Sequence, residues 1–208
     1  MGFFQRNRDE LIGRGFSPDR LPPGQYFTDR FPVLHVGDVP SISRSDWNLT
    51  LFGLVDEPRT IDFAELTSMP TVEITTDIHC VTKWSKFDTV WRGVRFRDLV
   101  ALVGVDPAAQ HVIEHAEYGY TTNVPLVDCL GDDVLVAWEY SEPGGAPTEL
   151  TAEHGGPVRF VLPKLYFWKS AKWLRGIEFS AVDAPGFWER NGYHNYGDPF
   201  REQRYTHD

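Results

Sequence analysis

The chain has 208 residues, of which 41% are hydrophobic and 14% aromatic, so it can bury one sizeable core without a second domain. Thirty acidic residues against twenty basic ones give a net charge of −10, which argues against binding to nucleic acid or to an anionic membrane. The N-terminus lacks the apolar run of a signal peptide, and no stretch of about eighteen apolar residues follows it. We therefore expect a cytoplasmic protein that does not span a membrane.

The distribution of turn-forming residues divides the chain into three parts. Residues 1–30 are rich in Gly and Pro between Arg14 and Gly24, which predicts an irregular N-terminal arm. Residues 31–182 carry the periodic patterns of one folded domain. Residues 183–208 mix Gly, Asn, Pro and aromatic residues without a period, which predicts an irregular tail packed on that domain.

Patterns of apolar residues predict short strands and a few short helices within the domain. Strands are expected at 47–55, 72–77, 111–116, 133–139, within 154–163 and at 177–179. Helices are expected after Asp62, where Glu65 follows at capping-box spacing, at 96–103 and at 126–130, whereas 119–125 has the composition of a loop. Because strands and helices do not alternate regularly, the predicted fold class is α+β with a mixed, mostly antiparallel sheet.

Cys80 lies at or just past the end of the strand predicted over 72–77. A structural role remains open, because free cysteine is often buried and packs as a small hydrophobic residue. A zinc site formed with His79 is disfavoured, since neighbours on an extended chain point to opposite faces, and no glycine-flanked turn indicates a hydrolase nucleophile. The remaining functional interpretation is a single thiolate ligand of a metal whose other ligands are not protein. Cys129, in an apolar run, is expected to be structural.

A basic and aromatic segment near the end of the domain contrasts with the acidic remainder of the chain. Its side chains are suited to binding a phosphate monoester: His154, Arg159, Lys169, Ser170, Lys172 and Arg175. Backbone amides at 170–172 would add anion contacts if that loop folds into a nest. The alternative is a solvated strand edge, whose long side chains cover apolar surface while their charges face water.

Five motifs in order give the chain a similarity to a known family. They are the strand-end Cys80, Trp91–Val94 before a helix, Gly119–Pro125, His154–Arg159 and Lys169–Trp173. In this order they resemble the sulfite oxidase family of molybdopterin enzymes, in particular its short cytosolic sulfite oxidase-like members. The similarity covers roughly Phe31 to Phe179, and the tail segment 186–195 is also typical of that subgroup. It implies a sulfite oxidase-like molybdopterin-binding fold.

The resemblance implies an oxidoreductase that carries Mo-molybdopterin. Cys80 would be the catalytic residue, ligating the molybdenum through its thiolate. His154 and Arg159 would contact the pterin and its phosphate. The other expected cofactor contacts are Phe31, His35, Thr122, Lys169 and the phosphate-wrapping loop Ser170, Ala171 and Lys172. Sulfite oxidases carry an Arg-Asn-His motif in the segment around Phe31 that this chain lacks.

The residues after Cys80 bear on the substrate. Sulfite oxidases follow this cysteine with a Gly-Asn-Arg type sequence whose cation helps to hold a dianion, whereas this chain has Val81-Thr82-Lys83-Trp84. That sequence resembles the methionine sulfoxide reductase branch more closely, although the branch has Glu where Thr82 stands.

The resemblance leads to one main functional hypothesis and three alternatives. The expected function is two-electron oxo transfer on a small-molecule oxo donor or acceptor, with the cofactor supplying the difficult chemistry. We expect a monomer that exchanges electrons with a separate electron-transfer partner. Sulfite oxidation is one alternative, and a non-catalytic molybdopterin-binding or interaction protein and a metal-free scaffold are the others.

Overall fold

Two β-sheets organise residues 3–208, the part of the chain that the computed structural model describes, with side chains described from Asn7 onward. The strands in chain order are β1 (Tyr26–Phe27), β2 (Asn48–Gly53), β3 (Arg59–Asp62), β4 (Thr71–His79), β5 (Trp84–Arg95), β6 (His111–Ala116), β7 (Thr121–Pro125), β8 (Leu135–Ser141), β9 (Thr148–Glu149), β10 (Arg159–Val161) and β11 (Leu174–Ser180). The α-helices in these residues are α1 (Phe3–Gly13), α2 (Phe63–Ser68), α3 (Phe96–Val103), α4 (Leu126–Cys129) and α5 (Phe187–Arg190). Within residues 3–208, no helix combines the length and apolar character needed to cross a bilayer.

Each sheet combines one parallel pair of strands with antiparallel pairs. Sheet A has the order β1–β5–β8–β10, with β4 also paired to β5 and β9 to β8, and sheet B has the order β3–β2–β11–β6–β7. In the described chain the parallel pairs are β1 with β5 and β2 with β11, and the other pairs are antiparallel. This arrangement confirms the predicted α+β class, with two mixed sheets in place of one.

The ends of two helices follow the signals in the sequence. Asp62 precedes α2, and its carboxylate accepts a hydrogen bond from the backbone N–H of Glu65 at 2.8 Å, as an N-cap residue does. The Glu65 carboxylate pairs with Arg59, so an ion pair replaces the second half of the capping box. Helix α3 ends at Gly104, whose φ of 61° is the left-handed conformation that glycine tolerates.

The N-terminal arm contains a helix, which corrects the prediction of irregular chain over 1–30; the first two residues of that arm lie outside the described chain. Asn7 joins α1 to β1, because its side chain accepts from the N–H of Phe27 at 3.2 Å and donates to the carbonyl of Gln25 at 3.4 Å. The turn-forming residues begin only at Gly15. Contacts with β1 therefore stabilise a helix whose local preference is weak.

Two further segments are strands that the sequence did not predict. Residues 119–125, expected as a loop, contain β7 (Thr121–Pro125), which follows a turn at Tyr118 and Gly119 with φ values of 59° and 73°. Residues 84–95 form β5, which pairs with three other strands of sheet A. Strand β7 forms a hairpin with β6 across residues 117–120, and the turn-forming composition around Gly119 hid it. Strand β5 pairs with the neighbouring β4 and with β1 and β8, which are distant in sequence, and local composition does not reveal such distant pairing.

The buried apolar side chains form two clusters. The first joins residues of both sheets, such as Leu51, Val136 and Ile177. The second surrounds Cys80 and includes Trp91 of β5. The packing of this second cluster positions the residues described below.

We expect Gly93→Ala to lower the free energy of unfolding by about 1 to 3 kcal/mol, the usual range for overpacking. A Cβ at Gly93 would lie 2.3 Å from the carbonyl oxygen of Val136 and 2.7 Å from the Cα of Ala137, both backbone atoms of β8. Gly13→Ala is the control, because a Cβ there meets nothing within 4 Å. Urea unfolding measures both variants, and equal stabilities would contradict this explanation of the β5–β8 contact.

Candidate active site

A cavity of about 530 Å³ is lined by residues from several separated segments of the chain. These include the irregular segment 31–38, the turn after β4, the loop before β11 and the tail. The cavity brings together seven of the predicted site residues: Phe31, His35, Cys80, Arg159, Ser170, Ala171 and Lys172. Its volume is typical of a small-molecule or cofactor site.

The turn after β4 places Cys80 at the cavity wall. The N–H of Cys80 donates to the carbonyl of Trp84 at 2.9 Å, and the N–H of Lys83 donates to the carbonyl of Cys80 at 3.0 Å. Lys83 has a φ of 77°, in the left-handed region that side chains other than Asn and Asp seldom adopt. Because β4 and β5 pair on either side of this turn, both strands hold Cys80 in position.

The Cys80 side chain is a thiol at neutral pH when no metal is bound. Burial raises its pKa, partly offset by hydrogen bonding to Thr82, whose Oγ1 lies 3.2 Å from Sγ, and by the charges of Lys172 and Arg204. A soft sulfur atom near two cations is suited to binding a metal as a thiolate, with loss of its proton.

Arg159 is a fully buried cation at the cavity wall. Its guanidinium donates to the carbonyls of His154 at 2.8 Å, Ser170 at 2.9 Å and Phe160 at 3.2 Å, so its hydrogen bonds go to neutral acceptors. Burial lowers the pKa of Arg159 to about 9, which still leaves it charged at neutral pH. A buried charge of this kind is stabilised by an anion, and an anionic ligand in the cavity would provide one.

The loop 170–172 adds a second cation beside Arg159. The hydroxyl of Ser170 accepts the N–H of Leu162 at 2.9 Å, and the N–H of Ala171 donates to the Glu114 carboxylate at 2.8 Å. These groups therefore have protein partners and do not form the open nest that the sequence suggested. Lys172 donates to backbone carbonyls, and its ammonium group is the loop's strongest group for binding an anion.

His154 packs against Phe31, which lines the cavity. The two rings stack with centroids 3.9 Å apart and planes at 9°, and Phe31 lines the cavity, whereas His154 is absent from its described lining. Burial, followed by the charges of Lys172 and Arg159, lowers the pKa of His154 to about 4, so the imidazole is neutral at pH 7. Its buried Nδ1 has no hydrogen-bond partner among the described residues. Its contact with a pterin stays a prediction.

Thr122 and Lys169 lie in a buried polar network away from the described cavity lining. Lys169 and Glu189 form an ion pair at 2.6 Å, with their side chains 0% and 1% exposed. The same carboxylate accepts from Thr122 at 3.0 Å and from the indole N–H of Trp168 at 2.8 Å. Lys169 also donates to the carbonyl of Asn195 at 2.7 Å. This network fastens the tail to β7, and direct cofactor contact by Thr122 and Lys169 stays a prediction.

The tail forms one wall of the cavity, a role that the sequence did not reveal. Phe187, Trp188 and Tyr193 line the cavity, and the rings of Trp188 and Tyr193 stack with centroids 4.7 Å apart. The high content of aromatic residues in the tail indicates that it packs on the domain. It does not indicate which surface of the domain the tail covers. Glu114 on β6 was also missed; it is fully buried, and burial raises its pKa well above the ordinary value.

Comparison with known proteins links this chain to a cofactor class. Residues 36–188 match the family model described as "Oxidoreductase molybdopterin binding domain". The chain is 53% identical over 190 residues to the "Uncharacterized oxidoreductase YuiH" of Bacillus subtilis (strain 168), covering 91% of this chain and 93% of that protein. It is 27% identical over 188 residues to the "Putative protein-methionine-sulfoxide reductase subunit YedZ1" of Azospira oryzae, covering 88% of this chain and 70% of that protein.

A more distant relative and one solved structure are also similar to the chain. The chain is 24% identical over 201 residues to a sulfite oxidase of Arabidopsis thaliana, covering 79% of this chain and 50% of that protein. The fold is similar to that of the sulfane dehydrogenase SoxCD from Paracoccus pantotrophus, with a TM-score of 0.62 and 21% sequence identity. That match covers 74% of this chain and 42% of the other chain.

We expect Lys169→Met to destabilise the protein by about 3 to 5 kcal/mol, because it leaves the Glu189 carboxylate buried without its cation. Chemical unfolding measures this loss, and limited proteolysis reports whether residues 183–208 detach. The double variant Lys169→Met/Glu189→Leu removes both charges and should recover part of the stability. A double variant no more stable than the single one would contradict the role assigned to this ion pair.

Proposed function

This oxidoreductase belongs to the sulfite oxidase family of molybdopterin-binding enzymes, and we propose that Cys80 ligates its molybdenum. The proposed reaction is two-electron oxo transfer to or from a small molecule. One observation carries the proposal: a single cavity is lined by the thiol of Cys80 and by two cations, Arg159 and Lys172. The thiol supplies a soft metal ligand, and the cations supply the charge that a phosphate needs.

The residues of the cavity fit Mo-molybdopterin. Cys80 would hold the metal through sulfur, and Arg159 and Lys172 would hold the phosphate. Phe31 and His35 line the cavity and would contact the pterin. When bound, the cofactor would supply the metal that exchanges an oxygen atom and two electrons with the substrate.

The remaining residues of the cavity control polarity and the access of water. Aromatic side chains dominate the lining, among them Trp84, Phe167, Trp168, Trp173 and Trp188. The Lys and Arg side chains in the described lining are Arg159 and Lys172, both proposed to bind the phosphate, and Lys83 is not part of that lining. Arg204, whose charge acts on Cys80, is not in that lining and donates to the carbonyls of Val81 and Pro23. A dianion at the reacting end would therefore have no lining cation of its own, which is unfavourable. These features support an uncharged substrate over sulfite.

A separate electron carrier is part of the proposal, because two-electron oxo transfer needs a source or a sink for electrons at each turnover. The relative from Azospira oryzae is named a subunit, which agrees with a partner-dependent system. We also propose that the chain acts as a cytoplasmic monomer. A non-catalytic cofactor carrier is the alternative, and repeated reduction of the protein by a chemical reductant and reoxidation by an oxo donor would exclude it.

The metal assignment predicts that Cys80→Ser keeps the pterin but changes the metal's ligands. Serine replaces a soft thiolate with a weakly acidic hydroxyl at nearly constant volume, so X-ray absorption should show one sulfur neighbour fewer than in the parent. Cys129→Ala is the control, since Cys129 is fully buried, its thiol faces the carbonyl of Pro125 at 3.5 Å, and burial raises its pKa. An unchanged sulfur count in Cys80→Ser, or a changed one in Cys129→Ala, would refute the assignment.

The phosphate assignment predicts that Lys172→Ala lowers pterin and molybdenum content at limiting cofactor, through loss of about 1.5 to 3 kcal/mol of charge-assisted hydrogen bonding. Lys164→Ala is the control, because Lys164 pairs with Asp128 at the surface. Parent-like content in Lys172→Ala, with equal thermal stability of all three proteins, would refute the assignment.

Cofactor retention should also depend on pH. Burial, followed by the charge of Arg159, lowers the pKa of Lys172 to about 7 in the cofactor-free chain. The ammonium group is therefore charged below pH 7 and loses its proton above it, so anion binding takes up a proton and weakens as the pH rises. The equilibrium affinity of the parent for the pterin should therefore fall from pH 6 to pH 8, values that bracket that pKa, and Lys172→Ala should lack this fall.

A further inference from the structure

Glu114 is a buried carboxyl group that the proposed chemistry does not use. It lies on β6, is 0% exposed and is absent from the described cavity lining. Glu189, the other buried glutamate of the described chain, pairs with Lys169, whereas Glu114 has no ion-pair partner there and its Oε1 has no hydrogen-bond partner. Burying a carboxyl group with so few partners is costly, which indicates a role beyond packing.

The hydrogen bond that Glu114 does make goes to the loop 170–172. Its Oε2 accepts from the N–H of Ala171 at 2.8 Å. The carbonyl of Ala171 accepts from the N–H of Phe160 on β10 at 2.9 Å, so the two sides of this residue are held by different sheets. Within residues 3–208, Glu114 provides the one hydrogen bond that joins this loop to sheet B.

The conformation of the chain after Ala171 depends on such contacts. The N–H of Lys172 has no hydrogen-bond partner among the described residues, so this stretch of backbone is not fixed at Lys172 itself. Trp173 has a φ of 53°, in the left-handed region that a side chain of this size seldom adopts. A conformation of this kind persists where the surrounding contacts fix it, and the bond from Glu114 to the preceding peptide is one of them.

The bond to Ala171 does not require a charged carboxylate. Burial raises the pKa of Glu114 well above its ordinary value, whereas the bond to Ala171 and the charges of Lys169 and Arg159 lower it. A carboxylate and a neutral carboxylic acid both offer an acceptor oxygen. Glu114 can therefore hold the loop in either state, including the neutral state that avoids repelling an anion in the cavity.

We propose that Glu114 is a positioning residue that holds the loop 170–172 in the conformation that binds the phosphate of the cofactor. This inference rests on the proposed function, in which Lys172 binds that phosphate. Glu114 acts through the Ala171 peptide and does not touch the ligand. Without this bond the loop would adopt the binding conformation for a smaller fraction of the time, and the apparent Kd would rise by the same factor.

The test compares two variants of Glu114 on two probes. Glu114→Gln keeps an acceptor oxygen, and Glu114→Met removes it with an unbranched side chain. The probes are the fluorescent oxidised pterin prepared from molybdopterin, with its phosphate ester and after phosphatase treatment. In titrations of the cofactor-free full-length chain, Glu114→Met should raise the Kd of the phosphorylated pterin about three- to tenfold, the range for one hydrogen bond, whereas Glu114→Gln should change it less than about twofold. The Kd of the dephosphorylated pterin should stay at the parent value in both variants.

Hydrogen exchange at the Ala171 amide reports the bond itself without any ligand. This amide should exchange about tenfold faster in Glu114→Met than in the parent or in Glu114→Gln. Val112→Ala is the matched control, because Val112 is 0% exposed on the same face of β6, two residues from Glu114, and offers no acceptor. It should disturb the packing of β6 and leave both Kd values unchanged.

The outcomes separate this role from the proposed function. A parent that binds both pterins equally would refute the phosphate site of the proposed function. A parent that prefers the phosphorylated pterin, together with a Glu114→Met variant of parent-like Kd, would overturn the role of Glu114 alone. Equal losses for both pterins in Glu114→Met, or a loss in Glu114→Gln as large as in Glu114→Met, would also overturn it. Should Glu114→Met not fold, Glu114→Asp, which withdraws the acceptor by one methylene, replaces it with the same expected rise in Kd.

Discussion

The buried guanidinium of Arg159 joins the parts of the candidate site. It bonds to carbonyls of the turn before β10, of β10 itself and of the loop before β11. Without these bonds the segments around the cavity would lose their common donor and leave buried carbonyls unpaired. Its hydrogen bonds go to neutral acceptors, and the buried Glu114 carboxyl offsets part of the lowering of its pKa by burial, without a hydrogen bond to it in the described chain. An anion in the cavity would stabilise this charge further. In the proposed assignment, cofactor affinity and the packing of the site would therefore be linked through Arg159.

A second buried cation, Lys169, has the opposite arrangement. Glu189 neutralises it within the protein, and the shared network with Thr122 attaches the tail to β7. The two charges thus have separate roles. Arg159 faces the cavity, whereas Lys169 holds the tail that forms one of its walls. The attached tail brings Trp188 and Tyr193 into the cavity that contains Cys80. In this way a salt bridge away from the cavity lining controls the surroundings of the proposed reaction.

The cavity is electrostatically asymmetric in the proposed assignment. Its Lys and Arg side chains would bind the phosphate, and the surface that remains is largely aromatic. In such low-polarity surroundings, hydrogen bonds and charges act more strongly than in water, so a few groups decide which molecules bind. The geometry of the Cys80 turn, held by β4 and β5, then sets where the reacting atoms would meet.

The sequence by itself determined the features that depend on neighbouring residues. The cap at Asp62, the end of α3 at Gly104 and the strand before Cys80 follow local rules, and the order of short motifs indicated the family. Tertiary structure alone decided that α1 is regular, that β5 pairs with β1 and β8, that Thr122 and Lys169 hold the tail, and that the tail lines the cavity. These features rest on pairing and on buried charge between segments far apart in the chain. Their stability depends on burial and on interaction partners elsewhere in the chain, which local composition does not reveal.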